Sequence, residues 1–435
     1  MKHMKIVTEL VSFTLPLILS GLFQQLFSWV DAFIVGNING EAALAAIGAT
    51  NSIYSLFVSL ITGFTSGLSV LCAQMHGRGE KERIKETLSS NVLVLTLVFL
   101  FISLAGIAFT DSLLALMATP ENISSQAESY LSIMMAGIPF LVVYNVYSAV
   151  LRGEGNSRAP FTAVLVSSLS NVALDLLFVA GLGMSCAGAA AATVIAQAAM
   201  TIYLVIYTVV RYPHLRFRFF SGPADAHTLK KSAVFGFPPS VQSGITSAGN
   251  VVLQSFMNGF GEKTVAAITT AYRVDTVILL PIINLGSGIS TLVAQREGSG
   301  DRESALKVLH AGLVLMVCVS AALTLLVFTY GSSLIAMFGL SGDTVLIGRS
   351  FFRGLSTFYV IFGLSMALRG FIEGRGDMLA SGLLGISSLV VRIIMSYIMK
   401  PFFGNMTIAY AEAVAWIYQL IVYFLRFRIA GKRQR

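Results

Sequence analysis

The chain has little charge. Only 11% of its 435 residues are Asp, Glu, Lys or Arg, against about 25% in soluble proteins, so an array of ordinary soluble domains is excluded. Hydrophobic residues reach 55% and mean hydropathy is strongly positive, which defines a polytopic membrane protein. Histidine is scarce: His3, His76, His214, His227 and His310 all fall in loops or at helix ends. No pair has metal-ligand spacing and no Ser/His/Asp set shares one membrane depth, so an enzyme is not expected. The three cysteines, Cys72, Cys186 and Cys318, lie far apart in or beside apolar runs. They form no CxxC pair or disulfide framework and read as small packing residues. Long polar stretches are also missing. The longest connection, 211–231, is too short for a soluble module. The Gly77-Arg78-Gly79 and Gly298-Ser299-Gly300 turns follow no strand, so neither a phosphate-binding loop nor ATP hydrolysis is expected.

What is present is a series of about twelve apolar segments of spanning length. They lie near 11–35, 50–75, 89–110, 128–151, 160–181, 187–210, 233–257, 265–295, 308–329, 347–370, 378–399 and 407–427. Alternate connections are basic: Lys2 and Lys5; Arg78 to Lys85; Arg152 and Arg158; Arg211, Arg216, Arg218, Lys230 and Lys231; Arg296 to Lys307; Arg369 and Arg375; then Lys432, Arg433 and Arg435. The intervening loops are nearly bare of Lys and Arg. By the positive-inside rule both termini are cytoplasmic. The net charge of +8 is thereby explained by the bilayer, and nucleic acid is not an expected partner.

The sequence also repeats. Sliding it by 221 residues lays Gly40-Glu41 on Gly261-Glu262, Ala45-Ala46-Ile47 on Ala266-Ala267-Ile268, and Gly153 and Gly155 on Gly374 and Gly376. The fold expected is all-α, with twelve transmembrane helices in two pseudo-symmetric six-helix bundles. The domain limits are 1–210 for the N-terminal bundle, 211–231 for a cytoplasmic linker and 232–435 for the C-terminal bundle and basic tail. Six is even, so both halves enter the membrane in the same direction. That layout suits alternating access, with substrate held near the midplane; duplication also builds channels and scaffolds.

The halves differ where chemistry is expected. Asp175 ends the run Asn171-Val172-Ala173-Leu174-Asp175, and Asp31 lies in the first segment. An Asp at a helix centre in a bilayer costs about 2.5–3.5 kcal/mol to insert, so each needs a reason. Asn171 and Asp175 are one turn apart and share a face. Under the offset Asn171 falls on Arg392, Asp175 on Ser396 and Asp31 on Val252, so only the N-terminal bundle carries this pair of acids. With Thr193 at similar depth, Asp31, Asn171 and Asp175 form a candidate cation-coupling site. Its oxygens suit either Na⁺, with these four residues as metal ligands, or a proton shared between carboxylates. The competing reading is that each Asp bonds a neighbouring backbone or hydroxyl group. Pro16 in the same first segment is a candidate hinge, or equally a static kink. In the C-terminal bundle Arg273, Asp275, Arg392 and Glu412 form a charged set. Structural pairing of Arg392 with Asp275 or Glu412 is the leading expectation, because buried charges need partners. Arg273 and Asp275, two apart, do not face each other on a helix. Aromatic and Met side chains such as Phe27, Met134 and Tyr144 are candidates for lining a cavity.

These features resemble the multidrug and toxic compound extrusion (MATE) transporters over nearly the whole chain. The motifs that carry the resemblance are the Ala-Gln-x-x-Gly-x-Gly turns at 73–79 and 294–300, the stretch Leu151-Arg152-Gly153-Glu154-Gly155-Asn156-Ser157-Arg158-Ala159-Pro160, and Asn171-x-x-x-Asp175. The resemblance implies a V-shaped pair of bundles, working as a monomer in the cell membrane. It implies export of amphipathic, often cationic, organic compounds in exchange for H⁺ or Na⁺, with no other cofactor. Asp31, Asn171, Asp175, Thr193 and Pro16 match the family's coupling and bend positions, and Asn145 matches a polar position beside the cavity. With Gln24, Phe27 and Tyr144 it is assigned to the substrate cavity. The likeness is greatest to the DinF-like branch: Thr246 and Phe362 stand where the NorM-like branch has carboxylates. A lipid-linked sugar flippase of the same superfamily is the alternative.

Overall fold

Glycines in the left-handed region set the joints. The computed structural model of the chain describes residues 2–117, 119–216, 226–338 and 342–432. Within it Gly40, Gly79, Gly155 and Gly183 have φ of 81°, 74°, 88° and 65°, and Gly261, Gly300, Gly376 and Gly404 have 87°, 78°, 86° and 55°. Each of the first four stands 221 residues before its counterpart. A Cβ is disfavoured in this conformation, so the repeat in sequence is also a repeat of backbone joints. Arg218 of the linker and Arg433 and Arg435 of the tail lie outside the described residues.

Between the joints the chain is helical. In the first half run α1 (Lys2–Gly77), α2 (Lys81–Ala108), α3 (Thr110–Leu116), α4 (Glu121–Gly153), α5 (Arg158–Asp175), a π-helical turn (Leu176–Gly181) and α6 (Ser185–Arg211). The second half has α7 (Ala226–Asn258), α8 (Glu262–Ile278), α9 (Leu280–Gly298), α10 (Arg302–Ala336), α11 (Asp343–Ser356), α12 (Tyr359–Gly374), α13 (Met378–Phe403) and α14 (Thr407–Lys432). Eight helical stretches of the described residues are long and apolar enough to cross a membrane, nine if the bent pair α11–α12 is one span. Two of these, Met4–Gly77 and Met378–Ile429, are each long enough for two crossings and divide at Gly40 and Gly404. With the less apolar α7 this gives the twelve spans expected.

Three joints differ from the sequence reading. The spans at 11–35 and 50–75 belong to two helices that meet directly at a kink, with Gly40 the non-helical residue of α1 and no longer loop between them. The intervening Ala43 and Ala46 are fully buried, so good helix formers that also pack leave nothing to unwind. The tenth segment is bent: α11 and α12 meet at 47° across 357–358. In the eighth, Leu279 interrupts the helix ahead of Pro281 but keeps helical dihedrals and the four-residue hydrogen bonds on either side, so Glu262–Gly298 is one span.

The chain divides into two compact units, Leu19–Phe237 and Met1–Ile18 with Pro238–Arg435. In the first, α4 packs along α2 and α6. Pro139 inside α4 has no N–H for the carbonyl of Met135, four residues back. The Ser103 hydroxyl of α2 donates to that carbonyl at 2.5 Å, which keeps a proline tolerable at membrane depth. Gly67 lets α1 meet the start of α7: a Cβ there would stand 1.9 Å from the Phe235 carbonyl oxygen. In the second unit the first turns of α1 are tied in by Glu9, whose carboxylate takes Arg296 Nη2 at 2.9 and 2.8 Å, and by Leu10, fully buried in the core with Ile289 and Leu309. There α9 and α12 approach closely enough that a Cβ on Gly370 would lie 2.4 Å from the Gly286 carbonyl. Small residues where helix backbones meet are the usual device in membranes.

Candidate functional site

The Leu19–Phe237 unit encloses a cavity of about 430 Å³. Its lining is drawn from α1, α4, α5 and α6 and includes Gln24, Phe27, Asp31, Asn51, Tyr54, Tyr130, Met134, Tyr144, Asn145, Asn171, Thr193 and Gln197. All four residues assigned to the substrate cavity from sequence therefore line it, and so do three of the four assigned to coupling.

The fourth, Asp175, is fully buried and does not line the cavity. It closes α5, and the next residues widen into the π-helical turn, where the Leu182 amide donates to the Leu177 carbonyl at 2.9 Å, five residues back. Such turns are rare and cluster at functional sites. The Asp175 and Asp31 carboxyl groups lie close enough to act on one another. Both Asp175 carboxylate oxygens and Asp31 Oδ1 are buried without a donor. Two ionised carboxylates have no hydrogen to share, so this arrangement calls for a proton or a cation between them. The reading in which each acid bonds a neighbouring hydroxyl or backbone group does not describe Asp175. Nearby, Asn171 Nδ2 donates to Thr193 Oγ1 at 3.3 Å.

Tyr54, Tyr130, Asn51 and Gln197 belong to this wall and were not singled out from sequence. Gln197 Nε2 donates to the Tyr54 hydroxyl at 2.9 Å, and its buried Oε1 has no partner. A signal was present: Gln197 is one turn after Thr193, and Asn51, Tyr54, Val58 and Thr62 recur at helical spacing.

In the second unit the offset positions do other work. Ser396 sits in regular α13 and donates back to the Arg392 carbonyl at 2.8 Å. Arg392 Nη2 reaches Glu412 Oε2 at 3.0 Å and the Tyr272 hydroxyl at 2.8 Å, and Tyr272 donates to the same Glu412 oxygen at 2.7 Å. Asp275 instead accepts from the Tyr359 hydroxyl. Arg273 takes no part: it is exposed and points away from Asp275, as spacing by two on a helix requires. Pro16 lies in α1 without breaking it, two residues before the boundary between the units.

A further cluster, also not foreseen, lies where α1 and α4 end. The Glu154 side chain is 5% exposed and lies between His76 Nδ1 at 3.7 Å and His214 Nε2 at 3.4 Å. Burial pushes the Glu154 pKa up, and the two imidazoles more than offset this, leaving it below the ordinary carboxylate value. At the positions 221 residues on, Glu297 and Arg375 pair at 3.4 Å. The repeat keeps the ion pair and reverses its charges.

A two-bundle, all-helical fold with a polar pocket inside one bundle defines a membrane transporter rather than an enzyme. The MatE family model matches residues 16–177 and 238–398, and the chain belongs to that family. It is similar to the probable multidrug resistance protein YpnP of Bacillus subtilis, 26% identical over 427 residues, covering 97% of this chain and 95% of that one. It is also similar to the multidrug export protein MepA of Staphylococcus aureus, 20% identical over 429 residues, with 97% and 94% covered. Among solved structures, a MATE protein in complex with MaL6 superposes with a TM-score of 0.92 at 22% identity, covering 99% of this chain and 98% of the other.

Proposed function

We propose that the protein is a secondary active exporter that moves amphipathic, cationic organic compounds outward in exchange for H⁺ bound at Asp31 and Asp175. It works as a monomer in the cell membrane with both termini cytoplasmic. The observation that carries the reading is the approach of the buried Asp175 to the half-buried Asp31, with three of their oxygens lacking a donor, at the wall of an aromatic and amide-lined cavity. Relatives named as multidrug resistance and export proteins support the substrate class. Tyr54, Tyr130, Tyr144 and Phe27 offer flat faces for an organic cation, while Gln24, Asn51 and Asn145 offer hydrogen bonds. Protonation of the acid pair removes negative charge from the pocket wall and weakens its hold on a cation, so proton entry and substrate release are linked. Pro16, near the boundary between the units, is the proposed hinge.

The test is dye efflux from proteoliposomes with a pH gradient or a sodium gradient imposed separately. A pH gradient alone should drive efflux, and Asp31→Asn or Asp175→Asn should reduce it at least tenfold while dye still binds. Transport driven by sodium alone would move the coupling ion to Na⁺. Undiminished gradient-driven transport by both variants would remove the coupling site from these acids.

A further inference from the structure

A second buried acid, in the other unit, is left without a counter-charge. Asp275 is 3% exposed and sits in the last turn of α8. The cation nearest to it in the network, Arg392 of α13, is already paired with Glu412 of α14 at 3.0 Å. Those two charges cancel, and Asp275 remains as one unmatched negative charge. The groups that act on it are Tyr359 of α12, Arg392 and Glu412, with Tyr272 one turn back on its own helix. Phe351 of α11 packs on the Tyr272 ring at 5.1 Å and adds no charge. Arg273 is exposed, and Lys400 lies over the Phe256 and Phe260 rings at 5.5 and 5.0 Å. Among the described residues the donor to the Asp275 carboxylate is thus a single neutral hydroxyl, that of Tyr359. An ionised carboxylate this deep in a membrane bundle needs a cation or several donors, and Asp275 has neither.

Its position is as telling as its environment. The Asp275 carbonyl accepts the amide of Leu279 at 2.8 Å, the residue at which α8 passes into α9 within one span. Tyr359 is the first residue of α12, directly after the 47° bend from α11. The Tyr359–Asp275 hydrogen bond therefore ties the bend of the tenth segment to the eighth. A donor placed at a helix bend is a contact that a conformational change can open.

We propose that Asp275 is a second proton-binding carboxyl, housed in the C-terminal unit, which takes up and releases H⁺ as the Tyr359 contact at the α11–α12 bend closes and opens. In the charge balance, proton uptake neutralises the one unmatched charge of the network and leaves the Arg392–Glu412 pair intact. The site is separate from Asp31 and Asp175, so it is tested with both of those acids replaced.

Infrared difference spectra of the membrane-reconstituted Asp31→Asn/Asp175→Asn protein, recorded between mildly alkaline and mildly acidic buffer, read the C=O stretch of protonated carboxyl groups. A titrating band for a buried carboxyl is expected. It should vanish on adding Asp275→Asn, survive replacement of the whole ion pair in Arg392→Met/Glu412→Gln, which frees no guanidinium, and move its pH midpoint on adding Tyr359→Phe. If Asp275→Asn fails to fold, the Tyr359→Phe and ion-pair spectra decide. A band that does not titrate, that persists without Asp275, that is lost with the ion pair, or whose midpoint ignores Tyr359 would overturn the proposal. Failure of coupling at Asp31 and Asp175 would leave this band unchanged, so the two readings fail separately.

Discussion

Arg392 and Glu412 offer a quantitative test of what the C-terminal network is for. The side chains are 18% and 11% exposed, and their 3.0 Å contact is buttressed by the Tyr272 hydroxyl, which bonds both. Removing one partner of such a pair strands the other charge in the bundle, at a cost of about 3–5 kcal/mol; the residual exposure argues for the lower end, about 3 kcal/mol. Arg392→Met and Glu412→Gln should each destabilise the protein by about this much. The double variant strands no charge, and replacing a whole buried pair is often close to neutral. It should therefore be more stable than either single variant, with a coupling energy approaching about 6 kcal/mol in a double-mutant cycle, the sum of the two single losses. The assay is unfolding in detergent followed by tryptophan fluorescence. The sequence has two tryptophans, and Trp416 lies one turn from Glu412, buried and packed 4.7 Å from the Phe362 ring. A Trp29→Phe background therefore reports the C-terminal unit alone. Additive losses in the double variant would show that the pair does not hold the bundle.

Two further perturbations test the N-terminal unit. Glu154 has its pKa depressed in the folded state, so its contribution to stability is complete above its unfolded value, the ordinary 4.5 of a glutamate, and disappears as pH falls through the depressed folded value. Glu154→Gln should therefore be less stable than the parent at neutral pH, and the difference should shrink in acid; thermal unfolding across a pH series in detergent measures it, and a gap that is constant or widens in acid would refute the sign. Gly67→Val should separate α1 from α7, since even a Cβ would stand 1.9 Å from the Phe235 carbonyl oxygen. Backbone cannot yield as a side chain can, so a loss at or beyond the usual 1–3 kcal/mol of overpacking, about 3 kcal/mol, is expected, and a variant with unchanged unfolding temperature would contradict the packing.

The legible parts of the molecule were those in which one residue type has one physical job. The 221-residue offset is readable because left-handed joints demand glycine, and Gly40/Gly261, Gly79/Gly300 and Gly155/Gly376 are visible as letters before any backbone is known. Asp31 and Asp175 are readable because an acid in an apolar run is expensive wherever it points. Pro281 marks the interruption at Leu279 as a candidate kink in the sequence, but the bend at 357–358 was not legible: nothing in the Ser-Thr-Phe-Tyr stretch marks it. The cluster of His76, Glu154 and His214 was hidden for another reason. Its members lie on three separate connections, and histidines at helix ends are unremarkable until the fold brings them to one carboxylate. Arg392 was recognised as needing a partner, but Glu412 and Asp275 were equally good candidates in sequence; the choice depends on which helix face meets α13.

The duplicated halves diverge in a consistent direction. At the end of α5 the N-terminal unit carries Asp175 and widens into a π-helical turn, while α13 keeps Ser396 in a regular helix with its hydroxyl bonded to its own backbone. At the ends of the spans the N-terminal unit holds a buried carboxylate between two imidazoles, and the C-terminal unit holds Glu297 against a guanidinium. An imidazole can give up its charge and a guanidinium does not. In both places the N-terminal unit has the chemistry that responds to protons and the C-terminal unit the version that does not. Asp275 breaks that rule, because the counter-charge that would have fixed it is engaged by Glu412. An ancestral repeat with identical halves would have to load both units alike. On the two proposals made above, this division leaves two proton-binding positions with different neighbours, one at a cavity wall and one beside a helix bend, so that substrate release and helix movement would answer to separate protons.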